Sequence, residues 1–169
     1  MNQMLKIIIY IFLFCLFGAT NSAFSQIAID VVGNWNYTIP TSDLSEAGLD
    51  FSGTYESAPN QVDIDVFQLN FISNFFFYRW RVDIRRADVD WHSDLDLSVR
   101  RTGNGSPFFF NGNITGGTNY QQITTSNQQF FSGTRTRLNI PIQYQISGVS
   151  VLLSAKTYET TIIYTVTEL

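Results

Sequence analysis

The chain has 169 residues, 14 of them acidic and 10 basic, for a formal net charge of −4 at neutral pH. Such a balance, with no basic patch to follow a phosphate backbone, excludes a general nucleic-acid binder. The only cysteine is Cys15, which excludes an internal disulfide framework and a cysteine-ligated metal.

Residues 1–25 read as an export signal. Lys6 gives a short positive start, Ile7 to Phe17 form an apolar run, and Ala23 and Ser25 put small residues where a signal peptidase reads. The run is shorter than the roughly 20 apolar residues that cross a bilayer, so no membrane span is expected in the mature protein. Phe14 before Cys15 argues against a lipid anchor. The expected product is residues 26–169, one domain in the periplasm, at the cell surface or outside the cell. It would carry all 14 acids against eight Arg and one Lys, a net charge near −5, with neither Cys nor Met.

Ile27, Ile29, Val31, Gly33, Trp35, Tyr37 and Ile39 then occupy every odd position, and Pro40 ends the run. A period of two means an extended segment with one face buried. Two readings are open. The segment is the first strand of this domain's own sheet, or it is a donor strand that completes a neighbouring subunit. Thr41 to Asn60 is a Ser/Gly/acid-rich connection in which Asp43 and Glu46 could start a helical turn that Gly48 stops. Phe51 to Tyr55 is a candidate short strand.

Val62, Ile64 and Val66 alternate with acids, and the phase then slips to Phe67, Leu69 and Phe71, as at a β-bulge. Tyr78, Trp80, Val82 and Ile84 share one face of the next strand, with Arg79, Arg81, Asp83 and Arg85 on the other. From Ala87 the phase shifts again, leaving Asp88, Asp90, His92, Asp94 and Asp96 in a column. A hairpin near His92–Ser93 would set that column beside the Arg face and pair the charges across the ladder. After the Arg101–Gly105 turn come short strands around 120–125 and 128–131. Leu138, Ile140, Ile142, Tyr144 and Ile146 alternate next, and Tyr158, Thr160, Ile162, Tyr164 and Val166 alternate at the end. About eight to ten strands, regular turn signals and no convincing helix predict an all-β, immunoglobulin-like antiparallel β-sandwich.

Little in this pattern promises chemistry. Asp88-x-Asp90-x-His92-x-Asp94 echoes a calcium loop, but Ser93 stands where the loop needs glycine and Val99 where it needs glutamate. There is no Gly-x-Ser-x-Gly elbow around a nucleophile. No catalytic residue, metal or cofactor is therefore expected. Phe75–Phe77, Phe108–Phe110 and Phe130–Phe131 present rings to both faces of a strand, so each is either covered on both sides or partly exposed. Phe108, Phe109 and Phe110, between turn residues, are the candidate exposed contact.

Ser147-Gly148-Val149-Ser150-Val151, Ala155 to Thr161 and the alternating Ile162 to Thr167 resemble the end of spore coat protein U-type and fimbrial-subunit-type secreted domains. Ile27 to Ile39 is similar to the amino-terminal extension of chaperone–usher pilins. Lys156 stands where their turn glycine is expected, and the cysteines of many pilins are missing. The resemblance implies an immunoglobulin-like sandwich in a cell-surface or pilus-like assembly, with no catalytic residues to carry over. The expected function is an exported, non-catalytic structural or adhesive subunit of the bacterial surface that self-associates or joins other surface subunits. The alternative is a secreted module that binds a glycan or another ligand through exposed Trp or Phe.

Overall fold

The structure, a computed structural model, describes residues 27–43, 51, 53–68 and 78–169. The expected leader, the Phe75–Phe77 cluster and the segment around Glu46 and Gly48 lie outside the described residues. Within them the chain is an all-β antiparallel sandwich. Its strands are β1 (Ile27–Gly33), β2 (Tyr55–Glu56), β3 (Val62–Gln68), β4 (Arg79–Asp90), β5 (Asp96–Arg101) and β6 (Ser106–Pro107). They continue with β7 (Ile114–Gly116), β8 (Gln121–Gln122), β9 (Gln128–Thr134), β10 (Arg137–Ser147) and β11 (Glu159–Glu168). Eight of these run three residues or longer. One 3-10 turn, Thr41–Asp43, follows Pro40.

The first sheet has the order β1-β3-β10-β5-β8, with β2 and β6 pairing at either end of β10. The second has the order β11-β4-β9-β7. Alternation decides which side chains enter the space between them. Val62, Ile64 and Val66 of β3, Leu97 and Val99 of β5, and Ile140, Ile142 and Tyr144 of β10 are buried from one side. Trp80, Val82 and Ile84 of β4 meet them from the other, each fully buried. Each such side chain contributes roughly 1.5–3 kcal/mol on leaving water. The Trp80 indole also donates to the Arg135 carbonyl at 2.7 Å, and its ring meets Phe131 edge-on at 6.0 Å. A buried indole N–H without that acceptor would be destabilising.

Three local departures matter. In β9, Val82 pairs with Phe131 and Asp83 with Gln129, which leaves Phe130 as an extra residue. This bulge turns two consecutive rings inward, and Phe130 and Phe131 are both buried. In β4, Val89 is the extra residue opposite the Glu159–Thr160 step of β11, and it is 66% exposed rather than in line with the core. Up to Gln68 the slip expected after Val66 does not occur: the ladder with β1 is regular from Val62 to Gln68, and Gln68 is buried while Phe67 is half-buried; Leu69 and Phe71 lie outside the described residues.

The Arg and Asp faces do not pair across a hairpin. The chain does turn at Ser93–Asp94, closed by the Leu95 amide donating to the His92 carbonyl. But β4 belongs to one sheet and β5 to the other, so the turn is a crossing between layers. The acids find nearer partners instead. Arg81 pairs with Asp83 and Arg86 with Asp88, two residues apart on the same strand, and Lys156 takes Asp90. Three other arginines are buried and hold backbone carbonyls: Arg101 those of Gly103 and Gly116, Arg135 that of Asn111, and Arg137 that of Gly112. A planar fork with several N–H donors suits that task where a lysine ammonium does not, which is the larger reason for the Arg excess.

Candidate functional site

The two sheets do not close evenly. β8 and β7, at one side, are edges of two and three residues. At the other side lie β1 and β11, edges of seven and ten residues that approach one another. A cleft of about 660 Å³ opens there, and its walls come from the end of β1 and the run after it, from Trp91, from the ends of β5 and β10, and from Thr157 to Tyr164.

The near wall exists because β1 stops pairing at Gly33. That residue has φ 123°, and a Cβ on it would sit 2.6 Å from the Gln61 carbonyl, so only glycine lets the chain leave β3 here. Residues 34–40 then run with no ladder partner. Aromatic stacking holds them instead. Trp35 lies on Tyr144 with ring centroids 6.2 Å apart and planes 11° from parallel, and Tyr37 packs between Trp35 and Tyr55. The Gln61 side-chain amide donates to the Asn34 carbonyl at 2.6 Å.

The seven alternating residues of the first segment thus divide. Ile27 is buried and Ile29 half-buried at the core, while Val31, Gly33, Trp35, Tyr37 and Ile39 line the cleft. The strand pairs within its own chain, antiparallel to β3.

On the far wall, Tyr158 stands edge-on to His92 at 6.2 Å, and its hydroxyl donates to the Ser154 carbonyl. Trp91 donates its indole N–H to the Leu95 carbonyl at 2.9 Å and carries the Arg86 guanidinium over its ring. Deep between the walls, the hydroxyls of Tyr144 and Tyr164 meet at 2.8 Å. Burial pushes the Tyr144 phenol up to about 12, partly offset by its hydrogen bond with Tyr164. Burial, and then the neighbouring Tyr144, raises Tyr164 well above the ordinary phenol range. Both phenols therefore stay protonated at physiological pH and act as hydrogen-bonding groups, not as bases.

The other candidates lie apart. Phe108 and Phe109 are 56% and 69% exposed, with rings 4.3 Å apart, while Phe110 is half-buried under the Arg135 guanidinium. They follow β6, which pairs at the Leu138 end of β10. Eight residues of strand, roughly 26 Å, separate that end from Ile146 at the cleft. Among the described residues no three acidic, His or Cys groups converge as metal ligands. The Asp88–Asp96 column is split between the two sheets.

Sequence reasoning missed the Tyr144–Tyr164 pair. The signal was present in part: tyrosines on the apolar phase of two strands need a partner for each hydroxyl when buried, and each can serve the other. Neither a protein-family model, a curated protein nor a solved structure matches this chain.

Proposed function

We propose that the protein is an exported, non-catalytic subunit of the bacterial cell surface whose role is adhesive, and that the cleft between β1 and β11 is its contact site. The observation that carries this reading is the cleft itself: an aromatic-walled opening on the one side where both sheets end in long edge strands. A scaffold that presents preformed concave apolar surface with a few polar groups is suited to binding. The Tyr144 and Tyr164 phenols stay protonated, and the exposed His92 faces Tyr158 and Asp94. The leader-like first 25 residues support export.

Labelled protein comprising residues 26–169 should be retained on immobilised cell-surface material. Tyr158→Ala, which removes a ring from the far wall, should reduce retention. A protein that stays strictly monomeric at high concentration and is retained on no surface component would sink the reading. The structural form of the same role has one observation in its favour. The outer edge of β11 is unpaired along all ten residues among the described residues, and such an edge can accept a strand from another subunit. Light scattering over a concentration series separates the two, because edge pairing gives oligomers and ligand capture does not.

A further inference from the structure

The cleft is selective in the kind of aromatic ring it uses. Trp35, Tyr37, Trp91, Tyr144, Tyr158 and Tyr164 line it. The described residues include seven Phe, three Trp and seven Tyr, and none of those seven Phe lines the cleft. Phenylalanine fills the core at Phe130 and Phe131 or stands at the opposite end of the sandwich at Phe108 and Phe109. Where apolar area is all that is needed, Phe serves; Tyr and Trp add a polar handle to a flat apolar face. A ligand with C–H faces and hydroxyl edges calls for that combination.

The remaining lining agrees. Asn36, Thr157 and Thr161 are exposed there, and Glu159 is the one charged residue among those that line the cleft. Two cations lie against its rings, Arg86 over Trp91 and Lys156 over Tyr158, but each is paired with a carboxylate, Asp88 and Asp90. The Tyr144–Tyr164 pair adds a donor. Two phenols carry two protons and use one between them, and among the described residues neither hydroxyl has another partner. Tyr144 is buried and Tyr164 half-buried, and both line the cleft, so the second proton is within reach of an acceptor held there. A ligand hydroxyl or ring oxygen in the cleft would accept it. The volume of about 660 Å³ lies within the usual range for small-ligand sites and suits a di- or trisaccharide.

We propose that the cleft binds a neutral oligosaccharide, with Trp35, Tyr37 and Tyr158 against sugar faces and the Tyr144–Tyr164 hydroxyls at its floor. This rests on the adhesive reading above and names its ligand class. The test is an array of neutral di- to tetrasaccharides of the gluco, manno, galacto and N-acetylglucosamine series, with sialylated and sulfated counterparts, followed by fluorescence titration of the hits. Trp80 is fully buried, so a change in emission on binding reports Trp35 and Trp91.

A neutral sugar should bind, its acidic counterparts should bind more weakly, and Tyr158→Ala should weaken binding about tenfold. The double substitution Tyr144→Phe/Tyr164→Phe keeps both rings and removes both hydroxyls, so it should fold normally. It should weaken binding roughly three- to tenfold. Unchanged affinity in a correctly folded double variant would overturn the assignment, as would preference for the anionic sugars. Should no sugar bind while the protein is still retained on cell-surface material, the oligosaccharide assignment falls and the adhesive reading stands. Capture of an extended synthetic peptide corresponding to Ile27–Ile39 in place of sugars would likewise overturn it, in favour of strand addition. Failure of both sugar binding and surface retention removes both readings.

Discussion

The Tyr144 hydroxyl lies 2.8 Å from that of Tyr164, and this contact ties the central strand of one sheet to an edge strand of the other. Tyr144 also sits under Trp35, so the same ring anchors the run that forms the near wall of the cleft. Removing one hydroxyl leaves its partner buried without its bond, which costs about 1–3 kcal/mol, whereas removing both can be nearly neutral. Tyr164→Phe and Tyr144→Phe should each lower the urea midpoint, and the double variant should recover most of the loss. Additive losses would mean that the two hydroxyls do not share a bond. Tyr164→Asp, which puts a charge in the same place, should be far more damaging.

The same pair sets a pH dependence. Both phenols titrate higher in the folded protein than their unfolded value near 10. The folded state then holds more protons between about pH 10 and the folded values, so the stability they confer is complete below pH 10 and falls as pH rises toward 12 and beyond. Tyr55 and Tyr120 shift in the same direction, chiefly through desolvation. Urea unfolding at pH 8, 10 and 11.5 should therefore show a plateau and then a decline, shallower in the double Phe variant. An equally steep decline in that variant would assign the effect to other groups.

The bulge at Phe130 makes a third claim. In a regular strand one of two consecutive phenylalanines would face solvent and tolerate truncation. Here both are buried, so Phe130→Ala and Phe131→Ala should each cost about 3–5 kcal/mol. Equilibrium unfolding of the two variants checks this directly. A Phe130→Ala variant close to wild type would mean that the ladder is regular and the ring lies outside.

These residues also mark where the sequence stops being legible. The core faces of β3, of β10 from Ile140 onward and of β11 follow the alternation of apolar residues, because each strand buries one face and a period of two is all that requires; at Leu138 a register shift between Arg137 and Ile140 breaks it. The paired inward rings of β9 break that period, since a bulge is a property of two strands in register and not of one sequence. The β4–β5 connection looked like a hairpin because a turn does occur at Ser93–Asp94. Whether the chain re-enters the same sheet or crosses to the other depends on packing between layers, which leaves no local mark. The cleft is legible only in halves: Trp35, Tyr37 and Ile39 stand out as one face near the start, and Tyr158, Ile162 and Tyr164 as one face near the end. Their meeting requires the two edge strands to fall on the same side of the sandwich.

Gly148 joins the end of β10 to the loop before β11, and it has φ 78°. A Cβ there would collide with the Asp94 carbonyl, which belongs to the turn between the sheets. Both the left-handed backbone and the close approach demand glycine. Gly148→Ala should lower stability by more than about 2 kcal/mol, and because the loop leads into Tyr158 it should also weaken any ligand held at the far wall. Thermal unfolding of the variant provides the check, and a wild-type transition would show that the loop can move away from Asp94 at little cost.

The buried arginines allow a last test of why this chain prefers Arg to Lys. Arg101 is 5% exposed and donates to the carbonyls of Gly103 and Gly116 and to the Asn104 side chain. Its partners are neutral oxygens on the turn after β5 and at the end of β7, and no carboxylate pairs with it among the described residues. Desolvation lowers its pKa, the direction expected for a cation held by dipoles rather than by an opposite charge. A lysine at this position keeps the charge but offers one compact ammonium, which cannot span acceptors on both segments at once. Arg101→Lys should therefore destabilise the domain by about 1–3 kcal/mol and loosen both segments, seen as faster amide exchange at Gly103 and Gly116. Arg79, exposed on β4, is the control, and Arg79→Lys should change neither. If the two substitutions behaved alike, charge rather than the fork geometry would be what position 101 supplies.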